Sequence, residues 1–237
     1  MIIDFHSHIL PGIDDGSRDI EESIILLDKL AANGTDLVVA TPHFYCDEQS
    51  VDYFLANRNN AYEQLKPHLK PEHPKILLGA EVLYNQMLVS NEILYNLKIQ
   101  GTDYVLLEMP YSDLDKKIID NVANMVHFMD LKIIVAHIER YLHFTSFKNL
   151  TKLMDLDLLG QINANSLTTK NKRNCIKLMK RGNVQAIGTD IHRKDRDVAF
   201  VKDIFPIIDK KLGSGYAESI MNSSAAVLSN EPVEHFF

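Results

Sequence analysis

Apolar, β-branched runs alternate with amphipathic stretches along the chain. Seven runs read as strands: Ile2–Ile9, Leu37–Thr41, Ile76–Leu83, Tyr104–Glu108, Lys132–His137, Gly160–Ala164 and Val184–Thr189. Most are continuously hydrophobic, as parallel strands covered on both faces are. Between them apolar residues recur with the helical period. Residues 20–32 put Ile20, Ile24, Leu27 and Ala31 on one stripe, with Asp19 and Glu22 spaced as a capping box and Gly34 as the stop. Residues 113–129 put Leu114, Ile118, Val122, Met125 and Met129 on one side. Further helices are expected over 51–66, 90–97, 147–156, 169–181, 197–212 and 216–228. Pro206 should kink or divide the one over 197–212.

Strands alternating with helices predict a parallel α/β domain, either an open doubly wound sheet or a barrel. The chain has no Gly-x-Gly-x-x-Gly turn and no Walker loop, which removes the usual nucleotide-binding readings of an open sheet. No linker-like stretch divides residues 1–237, so one domain is expected.

Polar residues fall where a buried strand would not choose them. The first strand carries His6 and His8, whose i, i+2 spacing aims both imidazoles to one side. A Gly/Pro-rich turn with Asp14 and Asp15 follows. His43 follows the second strand and Glu81 sits in the third. Glu108, His137 and the pair Asp190 and His192 mark three more strand ends. Any one of these could be a turn residue or a satisfied core histidine. Together they mark six of seven strand ends, and barrel active sites are built there. An unpaired buried carboxylate is heavily penalised, so a cation is the economical explanation. His68, His73, His127, His143 and His235 fall on helical or loop stretches and are left out.

About nine nitrogen and oxygen ligands, without cysteine, are too many for one metal ion. They suit two or three ions of Mn²⁺, Fe²⁺ or Zn²⁺. Ions held roughly 3.5–4 Å apart would lower the pKa of a bridging water and stabilise charge on the oxygens of an in-line displacement at phosphorus. Phosphate-ester hydrolysis by that hydroxide is the reaction this equipment suits.

The net charge of −7 argues against nucleic acid as the main partner. Two cysteines are too few for a disulfide framework. There is no signal-peptide pattern and no apolar run of ~18 residues, so a cytoplasmic protein without membrane insertion is expected. Cys175 and Arg181 have the Cys-x5-Arg spacing of cysteine phosphatases. The residues between them are glycine-free and helical in pattern, and cannot wrap backbone N–H groups around a phosphate. Cys175 reads as a small buried hydrophobe.

The stretches His6-Ser7-His8-Ile9-Leu10-Pro11-Gly12-Ile13-Asp14-Asp15-Gly16-Ser17, Ala40-Thr41-Pro42-His43, Gly79-Ala80-Glu81, Ala136-His137-Ile138-Glu139-Arg140-Tyr141 and Thr189-Asp190-Ile191-His192 resemble the PHP (polymerase and histidinol phosphatase) superfamily. More closely, they resemble its bacterial metal-dependent protein-tyrosine phosphatase branch, linked to capsular and extracellular polysaccharide synthesis. The resemblance implies a distorted (β/α)7 barrel, TIM-like, and a trinuclear centre, commonly manganese. By position it implies His6, His8, Glu81 and Asp190 on one metal. It implies Glu81, Glu108 and His137 on a second, and Asp15, His43 and His192 on a third, with Asp15 favoured over Asp14. Arg140 resembles the family's phosphate-binding arginine, and a guanidinium fork matches two phosphate oxygens. A second arginine is implied after His192. That loop is a residue shorter here, and Arg196 is favoured over Arg193. The implied partner is a phosphotyrosine protein, such as the tail of a polysaccharide-linked bacterial tyrosine kinase. Histidinol-phosphate hydrolysis and a catalytically silent scaffold are the competing readings.

Overall fold

The computed structural model describes residues 1–89, 92–129 and 131–231. Ser90, which opens the expected helix over 90–97, and His235 lie outside them. The seven expected strands form as nine segments: β1 (Ile3–Ser7), β2 (Leu37–Ala40), β3 (His43–Phe44), β4 (Lys75–Leu78), β5 (Glu81–Leu83), β6 (Tyr104–Glu108), β7 (Lys132–Val135), β8 (Leu159–Asn163) and β9 (Ala186–Gly188). They pair in the orders β1-β2-β4 and β3-β5-β6-β7-β8-β9, and every pairing is parallel.

The expected strand over 76–83 is interrupted, and β3 is a further short strand beyond the expected end of the second at Thr41. Pro42 lacks a ladder donor and ends β2. Thr41 N still donates to Ser7 O (2.8 Å) and Glu81 N to Pro42 O (3.0 Å) across the break. The chain resumes with His43 and Glu81 as register partners. The second break is at Gly79-Ala80, where the buried Arg58 donates to the freed Gly79 carbonyl at 2.9 Å. The sheet then curls until the end of β9 meets β1. His8 N donates to Ile191 O (2.9 Å) and Asp190 N to His6 O (2.8 Å), so motifs from the two ends of the sequence become neighbours.

Helices α1 (Ile20–Ala32), α2 (Val51–Leu65), α3 (Lys116–Met129), α4 (Phe147–Met154) and α5 (Lys172–Lys180) fill connections between strands, and α6 (Phe205–Leu212) and α7 (Tyr216–Leu228) follow β9. Three expectations are refined. Residues Glu92–Leu97 form the expected short helix, as a 3-10 turn. The helix over 197–212 is divided, into a 3-10 turn at Val201–Ile204 and α6 from Phe205, with Pro206 in the first turn of α6, where a missing N–H costs nothing. The capping box at α1 is half made. Asp19 accepts from Glu22 N at 2.8 Å, but the Glu22 carboxylate accepts from Arg18 N instead of returning to Asp19.

The hidden alternation of the strands becomes visible in the packing. Ile3, Phe5, Val39, Leu106, Ile134 and Ala136 fill the inside of the curled sheet, joined by Val227 of α7. Val105, Leu107, Ile133 and Val135, one residue out of phase, pack outward with Leu114, Val122 and Leu150. Both phases are apolar because both faces are covered. Glu108 follows Tyr104 and Leu106 with period two, so β6 aims its carboxylate inward at the open end.

Candidate metal centre

At that end the side chains converge in three overlapping groups. In the first, His6 Nε2 and His8 Nε2 lie 3.0 and 3.2 Å from Glu81 Oε2, and each is 3.5 Å from Asp190 Oδ1. In the second, His137 Nε2 is 2.8 Å from Glu81 Oε1 and 3.5 Å from Glu108 Oε1. In the third, Asp15 Oδ1 is 3.6 Å from His43 Nε2 and 3.4 Å from His192 Nε2. Glu81 thus offers one oxygen to each of the first two groups. Donor atoms of His8, Asp15, His43 and His192 lie within 4.8 Å of one another, as do those of His6, His8 and Glu81, and of His43, Glu81 and Glu108. All nine sequence-selected ligand candidates therefore gather at one place.

A second layer of polar residues orients the first. His8 Nδ1 donates to Asp14 Oδ2 at 2.7 Å, and the same carboxylate accepts from His43 N and Gly16 N. The two adjacent aspartates therefore divide the work: Asp15 faces the imidazoles of the third group and Asp14 holds His8 from behind. β8, which carries no ligand candidate, supplies the rest. Gln161 Oε1 accepts from His137 N (2.8 Å) and His6 Nδ1 (3.2 Å). Gln161 Nε2 donates to Asn163 Oδ1 at 2.9 Å, and Asn163 Nδ2 donates to Asp190 Oδ2 at 2.8 Å. Gln161 and Asn163 were not selected from the sequence, although the i, i+2 polar pair in a buried strand was a readable signal. His137 and Asp190 hold positive φ of 31° and 56°. Such backbone is strained and persists where the surroundings over-determine it. The contacts to Gln161 and to His6 O do so here.

With their Nδ1 atoms committed as donors, His6 and His8 turn their Nε2 lone pairs on each other at 3.1 Å. That arrangement calls for a cation. The electrostatics agree. Burial opposes charge on His6 and His8, yet the carboxylates around them raise both pKa values, His8 the more. Burial likewise opposes ionisation of Glu81 and Asp190, yet His6 and its neighbours hold both well below the usual carboxylate range. Burial and the nearby Glu81 raise Glu108. Asp14, despite its burial, is held at about 2 by its bond to His8. A site that draws positive charge this strongly, from nitrogen and oxygen donors alone, fits divalent metal ions.

The groups line a cavity of about 530 Å³ that Arg140, Arg196 and Tyr111 also reach. Arg140 Nη2 lies 2.5 Å from Asp190 Oδ2, and the Tyr111 hydroxyl donates to Glu108 Oε1 at 2.7 Å. Arg193 is not brought to the cavity. Its Nη1 lies 3.7 Å from the buried Glu22 carboxylate of α1, which also accepts from Lys194 N and so holds the loop away. Cys175 is fully buried on α5, and burial pushes its thiol up, as suits a packing residue.

The sequence profile described as "Capsular polysaccharide synthesis, CpsB/CapC" matches residues 2–229. The chain belongs to the CpsB/CapC family. Relatives include a Streptococcus agalactiae protein named tyrosine-protein phosphatase CpsB, 24% identical over 241 residues, covering 97% of this chain and 99% of the relative. Another is tyrosine-protein phosphatase YwqE of Bacillus subtilis, 24% identical over 248 residues, covering 98% of this chain and 93% of its own. Among solved structures, one from work on YwqE of Bacillus subtilis and CpsB of Streptococcus pneumoniae, described as unique metal-dependent tyrosine phosphatases, superposes with a TM-score of 0.85 at 21% identity. It covers 99% of this chain and 97% of the other. The curled parallel sheet is thus the CpsB/CapC fold, and the converging donors sit at its open end.

Proposed function

We propose that this CpsB/CapC chain is a metal-dependent protein-tyrosine phosphatase that hydrolyses phosphotyrosine monoesters. The observation that carries the reading is the sharing of one cavity by three donor groups and two arginines, with Glu81 common to two of the groups. The names of the relatives support the substrate class. His6, His8, Glu81 and Asp190 would hold one ion. Glu81, Glu108 and His137 would hold a second, and Asp15, His43 and His192 a third. Manganese suits this sulfur-free set, with iron or zinc as alternatives. Such ions supply Lewis acidity to phosphate oxygens and lower the pKa of water.

The chain's own residues do the rest. Arg140 and Arg196 orient the phosphate through charge-assisted hydrogen bonds. Arg140 must share its guanidinium between phosphate and Asp190, while Asn163 keeps Asp190 in place. Tyr111 fixes Glu108 and sets its ring beside the phosphate clamp. The phenolate of tyrosine is a good leaving group, which lessens the need for a strong general acid. In this reading the phosphorylated partner is a bacterial tyrosine kinase and the site of action is cytoplasmic; the family's description supplies the link to capsular polysaccharide synthesis. Among the described residues no helix is long and apolar enough to cross a membrane.

The test is an assay of a phosphotyrosyl peptide against histidinol phosphate, with elemental analysis of the purified protein. Turnover of the peptide, loss in EDTA and recovery with Mn²⁺ are expected. Full activity after complete metal removal, or loss on thiol alkylation alone, would overturn the reading.

A further inference from the structure

The charge of this chain is unevenly spread. Residues 147–181 hold eight Lys and Arg against two Asp, a net +6, within a chain of net −7. The rest therefore carries 17 basic and 30 acidic residues. Such asymmetry marks a surface with a charged partner.

The structure gathers these cations on one face. Side chains at their two ends link α4 and α5. His143, just before α4, pairs with Asn171 at the start of α5 (3.1 Å). Lys177 Nζ sits 3.4 Å from the centre of the Phe147 ring, and Arg181 pairs with Asp155 at 2.9 Å where both helices end. Lys148, Lys152, Lys170, Arg173, Lys177 and Lys180 are exposed. Of the eight cations, only Arg181 pairs with a carboxylate among the described residues. The other acids here are Asp157, beyond the end of α4, and Asp113, bonded to Thr145 and Asn149.

This face starts at the cavity. Asn165 and Ser166 line the cavity, and Lys170 and α5 follow within a few residues. On the α4 side, Phe144 packs on the cavity-lining Tyr111 with ring centroids 5.5 Å apart, and both rings are nearly half exposed. A path thus runs from the cavity over two exposed aromatics onto a basic surface with one carboxylate pair among the described residues.

We propose that the α4–α5 face docks an acidic polypeptide segment flanking the phosphotyrosine. The proposal rests on the phosphatase reading for what enters the cavity. A chain whose phosphotyrosyl side chain occupies the cavity must leave across this rim, and Asp and Glu residues there complement the cations. Exposed charges of this kind act mainly on encounter and fade with salt.

The experiment compares metal-loaded wild type with a Lys148→Glu/Lys170→Glu/Arg173→Glu variant. Three substrates are used at low and high ionic strength: a phosphotyrosyl peptide flanked by Asp and Glu, one flanked by Gly and Ser, and p-nitrophenyl phosphate. The wild type should prefer the acidic peptide, and the variant should lose that preference by a factor on the order of ten, mainly in KM. Salt should erase the preference, and p-nitrophenyl phosphate should not distinguish the proteins. Equal kcat/KM for the two peptides on wild type, or an equal loss on both in the variant, would overturn the docking. So would charge-dependent binding to phosphatidylglycerol vesicles without peptide discrimination, which would make this a lipid-facing surface. If the wild type hydrolyses none of the three substrates, the phosphatase reading fails by itself. Fluorescence anisotropy of the labelled acidic and neutral peptides then decides the docking separately.

Discussion

Gln161 is the residue whose replacement should reach furthest. Its side chain makes four hydrogen bonds inside the protein: from His137 N, from His6 Nδ1, to Ile162 O and to Asn163 Oδ1. Gln161→Met keeps the volume and removes all four. Each partner left buried and unpaired costs about 1–3 kcal/mol, and the losses do not simply add. A total of roughly 3–6 kcal/mol is expected, a large share of the ~5–15 kcal/mol that holds a domain together. The His6 ring also loses the acceptor that fixes its Nδ1–H tautomer, and His137 loses the contact that holds its positive φ. Support of this kind is worth about 10- to 100-fold in metal affinity. The assays are urea unfolding of the metal-free protein, Mn²⁺ titration by calorimetry, and imidazole ¹⁵N shifts that report the His6 tautomer. Gln161→Glu keeps the acceptor for both N–H groups and should restore the tautomer and most of the affinity. If Gln161→Met lowers stability but leaves metal affinity and the His6 tautomer at wild-type values, the residue is a core filler and the reasoning is refuted.

Three further outcomes are expected. Arg140→Ala should keep its full metal content, because Asn163 still holds Asp190. It should raise KM for phosphotyrosyl peptide about 10- to 100-fold, from the loss of one charge-assisted contact; metal analysis and steady-state kinetics read both effects. Asp4 is fully buried, and burial raises its pKa to about 6 against the hydrogen bonds from Thr189 and His6 that lower it. Its folded pKa lies above the unfolded ~3.9, so the native state holds the extra proton between the two. In the metal-free protein, stability should therefore fall by about 2–3 kcal/mol as pH rises from ~4 to ~6. Urea titrations across that window should show Asp4→Asn without this component. Gly16→Ala should unfold the N-terminal turn or displace His8, since an added Cβ would sit 2.3 Å from His8 O; a drop in Mn²⁺ affinity beyond that of Gly12→Ala would show it.

Much of the molecule was legible in the sequence because its signals are local or periodic. Strand positions follow from apolar runs too long for a half-exposed sheet. The nine ligand candidates stand out because charged and imidazole groups interrupt such runs at their ends. Tertiary structure alone decided how these groups share space. Pro42 and Gly79-Ala80 break their strands, and the ladder that resumes sets His43 of the third group beside Glu81, which serves the first two. The division between Asp14 and Asp15 depends on the fold of the turn against His8, which identical residue types in adjacent positions cannot reveal. The sequence favoured Arg196 over Arg193 without a structural reason; the buried Glu22 holds one end of the loop and keeps Arg193 beside it. The second layer on β8 was hidden for a related reason: amides carry no charge, and their worth depends on partners far away in the chain. Donor identity is written along the sequence, whereas donor geometry exists only after the sheet curls and brings Asp190 against His6.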